Sequence, residues 1–366
     1  MNICFVAKTC DPKTGGIGRH IFELSNHLEE LGHDVTILTR PGNDGVKGLK
    51  ADIVEIDHFG IGSMTLDQYF AVPWFYRYLK RNGDDFDVIH CHELLSLSGF
   101  FAKLRSVDSN FVYTVHGVAY ELISRNFLKP LAKILHFPER LCVRSFDRVV
   151  AVSENTRNET LEHYNISDEK VETIYNGVDT DKFRPVKEFD NQLLFVGYFI
   201  ERKGSDLVVD AFCNLADDFP NTKLVLVGKG RMEEELREKV SNSGLEDRVD
   251  FRKNVSDEEL RDLYSSSIFV MPSKYEGQGI VYVEAMSCGA PVIGCDNSAI
   301  PEMIEDGVNG YLIDRDSESL AQALTSILED DELRVSMSES SREKAKDFDW
   351  GKIAAQTESL YQDLIN

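Results

Sequence analysis

Between Ser273 and Pro291 the chain reads SKYEGQGIVYVEAMSCGAP, and its residue types suit the binding of an anion beside a polyol. Two glycines flank Gln278 just before an apolar run that predicts a helix starting near Ile280. Amides at a helix start point outward without an intrahelical acceptor, and the helix dipole favours negative charge there. The amides of Gly277, Gln278, Gly279 and Ile280 are therefore candidates to hold a phosphate. Glu276 lies in the loop and Glu284 in the first turns of the helix, and carboxylates hold sugar hydroxyls well. A sugar nucleotide, with its diphosphate, satisfies both demands. The plainer alternative is that the glutamates only complement the helix dipole.

A second cluster stands in GYFIERKGSD, where Arg202 and Lys203 precede Gly204 after a strand ending at Gly197. Cations at that place can clamp a diphosphate and stabilise it as a leaving group. Arg202 could equally be a solvated surface charge. Gly228 and Gly230 end another strand, where a nucleotide base or merely a tight turn accounts for glycine. In the first half, Gly15 and Gly16 of TGGIGRH leave room for close backbone approach to a ligand. This loop is not the GxGxxG dinucleotide fingerprint, which argues against a nicotinamide dehydrogenase. His116 ends a strand in YTVHG, a position from which it can reach a ligand. His90 and His92 in DVIHCHE are of metal-ligand type, but with no third partner evident they are expected to pack or to line the acceptor side. Asp179 and Asp181 form a DxD, and no metal is expected there.

These residues need elements to carry them. Strand-like apolar runs alternate with amphipathic helical runs throughout, which predicts parallel sheets wound by helices, with ligands beyond the strand ends. Strands are expected over 2–7, 34–39, 87–90, 110–115 and 148–152, and a helix over 18–31. The polar stretch NGVDTDKFRPVKEFD, beginning at Asn176, reads as a linker. A second series follows, with strands over 192–196, 222–227, 268–271 and 291–294. The tail, 349–366, predicts a helix with Trp350, Ile353, Leu360 and Leu364 on its apolar side. The expected division is a first domain over 1–185 joined by the helix 350–366, and a second over 186–349.

With 366 residues, two domains are the natural expectation. Of these residues 42% are hydrophobic and 28% charged, the composition of a folded chain rather than a disordered one. The formal charge of −23 argues against generic nucleic-acid binding, because phosphates would be repelled. No segment approaches a membrane span of about 18 apolar residues. The N-terminus reads as a strand rather than a targeting segment, and seven scattered cysteines without a CxxC pair fit a reducing cytoplasm. One region departs from the acidic balance, where Arg125, Lys129, Lys133, Arg140, Arg144 and Arg148 recur among apolar residues at helical spacing. It is either an ordinary amphipathic helical pair or a patch that touches an anionic membrane surface or acidic acceptor.

The spacing of Glu276 and Glu284, followed by AMSCGAPVI, together with TGGIG, YTVHG and NGVD, resembles glycosyltransferase family 4. That resemblance implies the GT-B fold, two Rossmann-like doubly wound domains facing across a cleft, and a retaining transfer from a nucleotide sugar, with UDP-sugar the commoner donor and GDP-sugar next. By resemblance, Glu284 binds the ribose, Glu276 the transferred sugar and Lys203 the diphosphate, while His116 contacts the sugar near its reacting carbon. The loop at Gly15 and Gly16 approaches the donor phosphates, and FRKNV, from Phe251 to Val255, matches the base-binding strand end. The acceptor is expected to be a hydroxyl on a lipid-linked or glycan molecule, with no metal cofactor and with the cytoplasm, or the inner face of the cell membrane, as the place of action. Two departures stand out. Tyr198 replaces a common arginine, and Gln278 stands where many members have an aromatic. A sugar-nucleotide epimerase of the same fold and a non-catalytic sugar-nucleotide-binding protein are the alternatives.

Overall fold

The computed structural model describes residues 1–58, 66–118 and 137–366. The chain divides into two compact units, Met1–Asn176 with Trp350–Asn366, and Gly177–Asp349. Each is built on one parallel sheet.

In the first unit the strands are β1 (Asn2–Val6), β2 (Asp34–Thr39), β3 (Asp52–Glu55), β4 (Val88–His92), β5 (Asn110–Val115), β6 (Arg148–Ala151) and β7 (Val171–Thr173). They lie in the order β3-β2-β1-β4-β5-β6-β7. Described helices are α1 (Gly16–Glu30), α2 (Leu66–Asn82), α3 (Ser96–Leu104), α4 (Phe137–Ser145) and α5 (Glu154–Tyr164). Central strands such as β4 are buried from end to end, as a sheet covered on both faces requires. The C-terminal helix, Trp350–Ile365, belongs to this unit, where Trp350, Ile353, Leu360 and Tyr361 join the core formed by Ile3, Phe5, Ile21 and Leu24.

In the second unit β8 (Gln192–Val196), β9 (Lys223–Val227), β10 (Val249–Arg252), β11 (Ser267–Met271), β12 (Val292–Cys295) and β13 (Gly310–Ile313) lie in the order β10-β9-β8-β11-β12-β13. Helices α6 (Ser205–Leu215), α7 (Glu233–Asn242), α8 (Asp257–Ser265), α9 (Ile280–Ser287), α10 (Ile300–Met303), α11 (Ser317–Glu329) and α12 (Asp331–Ala345) follow, and the C-terminal helix is α13. Strand order reverses between β1 and β4 in one sheet and between β8 and β11 in the other. In open parallel sheets ligands gather beyond the carboxyl ends of the strands at that reversal.

The boundary differs from the expected one after residue 185. Residues 177–185 pack with the second unit, although their polarity reads as a linker. Val178 N donates to Phe348 O at 2.7 Å, and Phe183 is buried against Tyr264. Arg342 seals the segment by donating to the carbonyls of Thr180, Phe183 and Ser287. Edge strands β3, β7, β10 and β13 are additions to the expected set.

Candidate active site

The loop after β8 and the loop after β11 meet at the reversal point of the second sheet. Arg202 O accepts from Lys274 N at 2.7 Å, and Arg202 Nη1 donates to Tyr275 O at 2.5 Å. Gly204 lets the loops close, since a β-carbon there would stand 2.5 Å from Pro272 O and its φ is +74°. Held in this way, Lys203 Nζ lies 2.6 Å from Glu276 Oε1, and Arg202 Nη1 lies 3.5 Å from the same oxygen. Side-chain exposure is 13% for Lys203 and 8% for Glu276, so solvent screens the pair weakly.

Electrostatics follow from two cations sharing one carboxylate. Burial alone would raise the Glu276 carboxyl, but Lys203 and Arg202 more than offset it and hold it below the usual range. Burial also holds the Lys203 ammonium below the lysine range, Arg202 adding to this and Glu276 offsetting it only in part. An ion pair by itself would raise the lysine, so desolvation wins. The triad carries an excess positive charge that an incoming anion would neutralise.

Next to the triad, α9 begins at Ile280 after Gly279, whose φ is +96°. No side chain caps this start, and of its first amides Tyr282 N donates to Gly279 O. Gln278 and Glu284 are buried, and Tyr264 Oη donates to Glu284 Oε2 at 3.1 Å. Gly197 follows β8 and lies beside Gly228, where a β-carbon would come within 1.9 Å of Gly197 O. Gly230 would similarly collide with Phe199 O at 2.3 Å. Strand-end packing therefore requires glycine at 228 and 230 with no ligand invoked. A depression of about 580 Å³, lined by Lys187, Asp190, Gln192, Arg252 and Asp262, includes Arg252 of the FRKNV segment but none of the other candidate residues.

At the reversal point of the first sheet, Gly15, with φ +127°, precedes α1, and Gly16 is its first residue. Gly18 sits against Asp11 O, 2.3 Å from where a β-carbon would be, so the third glycine of TGGIG is structural. His116 follows β5 and is partly exposed, whereas His20, His90 and His92 are buried. His92 Nδ1 is 3.0 Å from His116 Nε2, and His20 Nδ1 is 2.8 Å from Asn176 Oδ1. Burial pushes His20 down to about 4 and the other three well below the usual imidazole value. All four rings are neutral near pH 7.

Two family models match in tandem, Glycosyltransferase Family 4 over residues 14–182 and Glycosyl transferases group 1 over residues 178–344. The chain belongs to glycosyltransferase family 4. It is similar to the phosphatidyl-myo-inositol mannosyltransferase of Mycolicibacterium smegmatis, 29% identical, with 95% of this chain and 90% of that protein covered. Among solved structures it resembles sucrose-phosphate synthase from Thermosynechococcus elongatus, with a TM-score of 0.85 at 23% identity over 99% and 98% of the two chains. Anabaena HepE, solved in complex with UDP and glucose, superposes with a TM-score of 0.82 at 20% identity over 99% and 100%. These likenesses establish the GT-B fold, and the chain is a glycosyltransferase.

Of the residues expected to serve this glycosyltransferase, Arg202, Lys203 and Glu276 come together, with Gly277, Gln278, Gly279 and Ile280 next in sequence at the start of α9. Glu284 lies one helix turn and more beyond, bonded to Tyr264. Arg202 is thereby an ion-pair partner rather than a free surface charge. Tyr198, at the position of the missing arginine, is 48% exposed. Asp179 of the DxD uses its carboxylate to accept from Asp181 N and Lys182 N, a turn cap within the second unit. His90 packs as expected, its two nitrogens bonded to Tyr361 Oη and Thr114 Oγ1, but for His92 the expected lack of a third partner is corrected, because His20, His92 and His116 bring ligand-type nitrogens within 4.8 Å of one another. His20 was missed, since a lone histidine within a helix has no local signal. Of the basic stripe, Arg125, Lys129 and Lys133 lie outside the described residues. Arg144 donates to Tyr164 O, and Arg148 to Asp147 O.

Proposed function

We propose that this family 4 glycosyltransferase is a retaining enzyme that moves a sugar from a nucleoside-diphosphate sugar, UDP-sugar first and GDP-sugar next, to a hydroxyl acceptor. The observation that carries the proposal is the partly buried Arg202–Lys203–Glu276 triad, with its excess positive charge beside an uncapped helix start. In this reading Lys203 and Arg202, with the amides of 277–280, hold the diphosphate, Glu276 the sugar hydroxyls and Glu284 the ribose. Gly197 permits close approach of the donor. Gly15 and Gly16 serve the phosphates from the first unit, and His116 touches the sugar near its reacting carbon.

The acceptor oxygen bonds to the anomeric carbon on the face from which the diphosphate departs. As the carbon–oxygen bond to the β-phosphate breaks, the acceptor proton passes to the leaving oxygen. Such a reaction needs charge stabilisation at the leaving group more than a protein nucleophile, and the triad is suited to supply it. No metal cofactor is called for.

UDP is favoured because HepE, of like fold, was solved with UDP and glucose. A lipid-linked or glycan acceptor is favoured by the name of the mannosyltransferase relative and by the basic stretch 122–148. No helix among the described residues is long and apolar enough to cross a membrane, and the contact read here is a peripheral one. Liposome flotation with charge reversal at Lys129, Lys133 and Arg140 tests that contact, and binding insensitive to salt and to these changes removes it.

A thermal-shift screen against UDP-, GDP- and ADP-sugars tests the donor. A ligand at a hundredfold its dissociation constant stabilises by about 2.7 kcal/mol, so the true donor stands out. With donor and acceptor together, release of nucleoside diphosphate and a product of unchanged anomeric configuration are expected. An isomerised donor would mean epimerisation, and binding without turnover a non-catalytic partner.

A further inference from the structure

Four histidines adjoin one another in the first unit, with ring centroids 4.5 Å apart for His90 and His92, 5.3 Å for His92 and His116, and 4.9 Å for His20 and His116. Their hydrogen-bond partners allow the protons to be assigned ring by ring. Asn176 Oδ1 only accepts, so His20 carries its hydrogen on Nδ1 and leaves Nε2 as a bare lone pair. That Nε2 is buried without a partner.

Between His92 Nδ1 and His116 Nε2, 3.0 Å apart, one neutral ring must donate and the other accept. The other nitrogen of His92, Nε2, is buried and has no hydrogen-bond partner. If His116 donated, His92 would have to carry its hydrogen on that Nε2, as a buried N–H with no acceptor. Orphaned buried N–H groups are the rarest kind, and bare acceptors are tolerated more often. His20 Nε2, in the same cluster, is already an orphan of the tolerated kind. The consistent arrangement has His92 Nδ1–H donating to His116 Nε2.

We infer that His92 is a positioning residue that fixes the tautomer of His116, so that His116 offers Nδ1–H as a hydrogen-bond donor. His116 is the partly exposed member of the four, and among the described residues its Nδ1 has no hydrogen-bond partner. The proton placement follows from the cluster alone. Its catalytic consequence rests on the proposed contact of His116 with the donor sugar, where this ring would donate to a sugar oxygen and could not act as a base through Nδ1. A metal ion shared by His20, His92 and His116 would compete for the nitrogens that this bond uses.

Long-range proton–nitrogen correlation spectra of the full chain, labelled with nitrogen-15 histidine, read the tautomers without substrate. The expected result is N–H at Nδ1 and a bare Nε2 for His20, His92 and His116. In His92→Asn the side-chain amide can still donate, so His116 keeps its tautomer and kcat stays within about threefold. In His92→Leu the His116 signals move toward the Nε2–H form, and kcat falls about 10- to 100-fold with little change in donor KM, taking the range found for orienting partners of metal-bound histidines as the guide. Nε2–H on His116 in the unaltered protein overturns the inference. So does coordination of one equivalent of added zinc by the three rings. If the chain transfers no sugar at all, the spectra still decide the tautomer while the kinetic arm fails with the proposed function.

Discussion

Glu276→Gln removes the one buried carboxylate that two partly buried cations share, and it separates a built electrostatic site from a surface ion pair. At an effective dielectric constant of about 20, a charge pair at the Lys203–Glu276 distance attracts by roughly 6 kcal/mol and one at the Arg202–Glu276 distance by roughly 5 kcal/mol, before desolvation is subtracted. Removing one partner of a buried pair costs about 3–5 kcal/mol net, because an uncompensated charge is left behind. Glutamine keeps one acceptor oxygen, which puts the expected loss at the lower end, about 3 kcal/mol. For a unit of this size that corresponds to a fall in Tm of roughly 6–12 °C. Both tryptophans, Trp74 and Trp350, lie in the first unit, so circular dichroism rather than fluorescence should report the larger shift. A loss below about 1 kcal/mol, or one abolished by raising salt, would refute the buried triad. A nucleoside diphosphate should restore more stability to Glu276→Gln than to the unaltered chain, since the anion then meets two unneutralised cations.

Other predictions follow from the same geometry. Gly197→Ala should fold with an almost unchanged Tm, because its β-carbon would meet only Phe195 at 3.4 Å and Met271 at 3.8 Å, yet donor binding measured by calorimetry should weaken if the donor passes close to that backbone. Gly228→Ala should lose several-fold in soluble yield and unfold well below the unaltered chain, because its β-carbon would overlap Gly197 O. Tyr264→Phe should cost about 1–2 kcal/mol in denaturant titrations and weaken nucleotide affinity, since Glu284 loses a donor. Transfer assayed with and without a chelator should proceed at the same rate, and abolition by chelation would contradict the metal-free mechanism.

Central strands such as QLLFV and SIFVM were legible as runs of four apolar residues between turn signals. Edge strands β3, β7, β10 and β13 were not, being three or four residues long and half exposed or hydrogen-bonded on one side only. The unit boundary was misread because Phe183 is one apolar residue in a polar stretch, and only Arg342, distant in sequence, shows where it is buried. In the site, the start of α9 and the cations ahead of Gly204 were visible as local patterns. That Glu276 pairs with both Arg202 and Lys203 was not, because it depends on two loops meeting where the strand order reverses. The histidine cluster was half visible. His92 ends β4 and His116 directly follows the adjacent β5, but His20 joins them from a helix and is tied down by Asn176, far along the chain.

The central claim is that Lys203 and its partners hold a nucleoside diphosphate, and calorimetric titration of UDP and GDP into the unaltered chain and into Lys203→Met tests it most directly. One of the two nucleotides should bind the unaltered chain, and Lys203→Met should weaken it about 10- to 100-fold, the equivalent of one charged hydrogen bond. Equal affinity in the two proteins, or no binding of either nucleotide, would contradict the account.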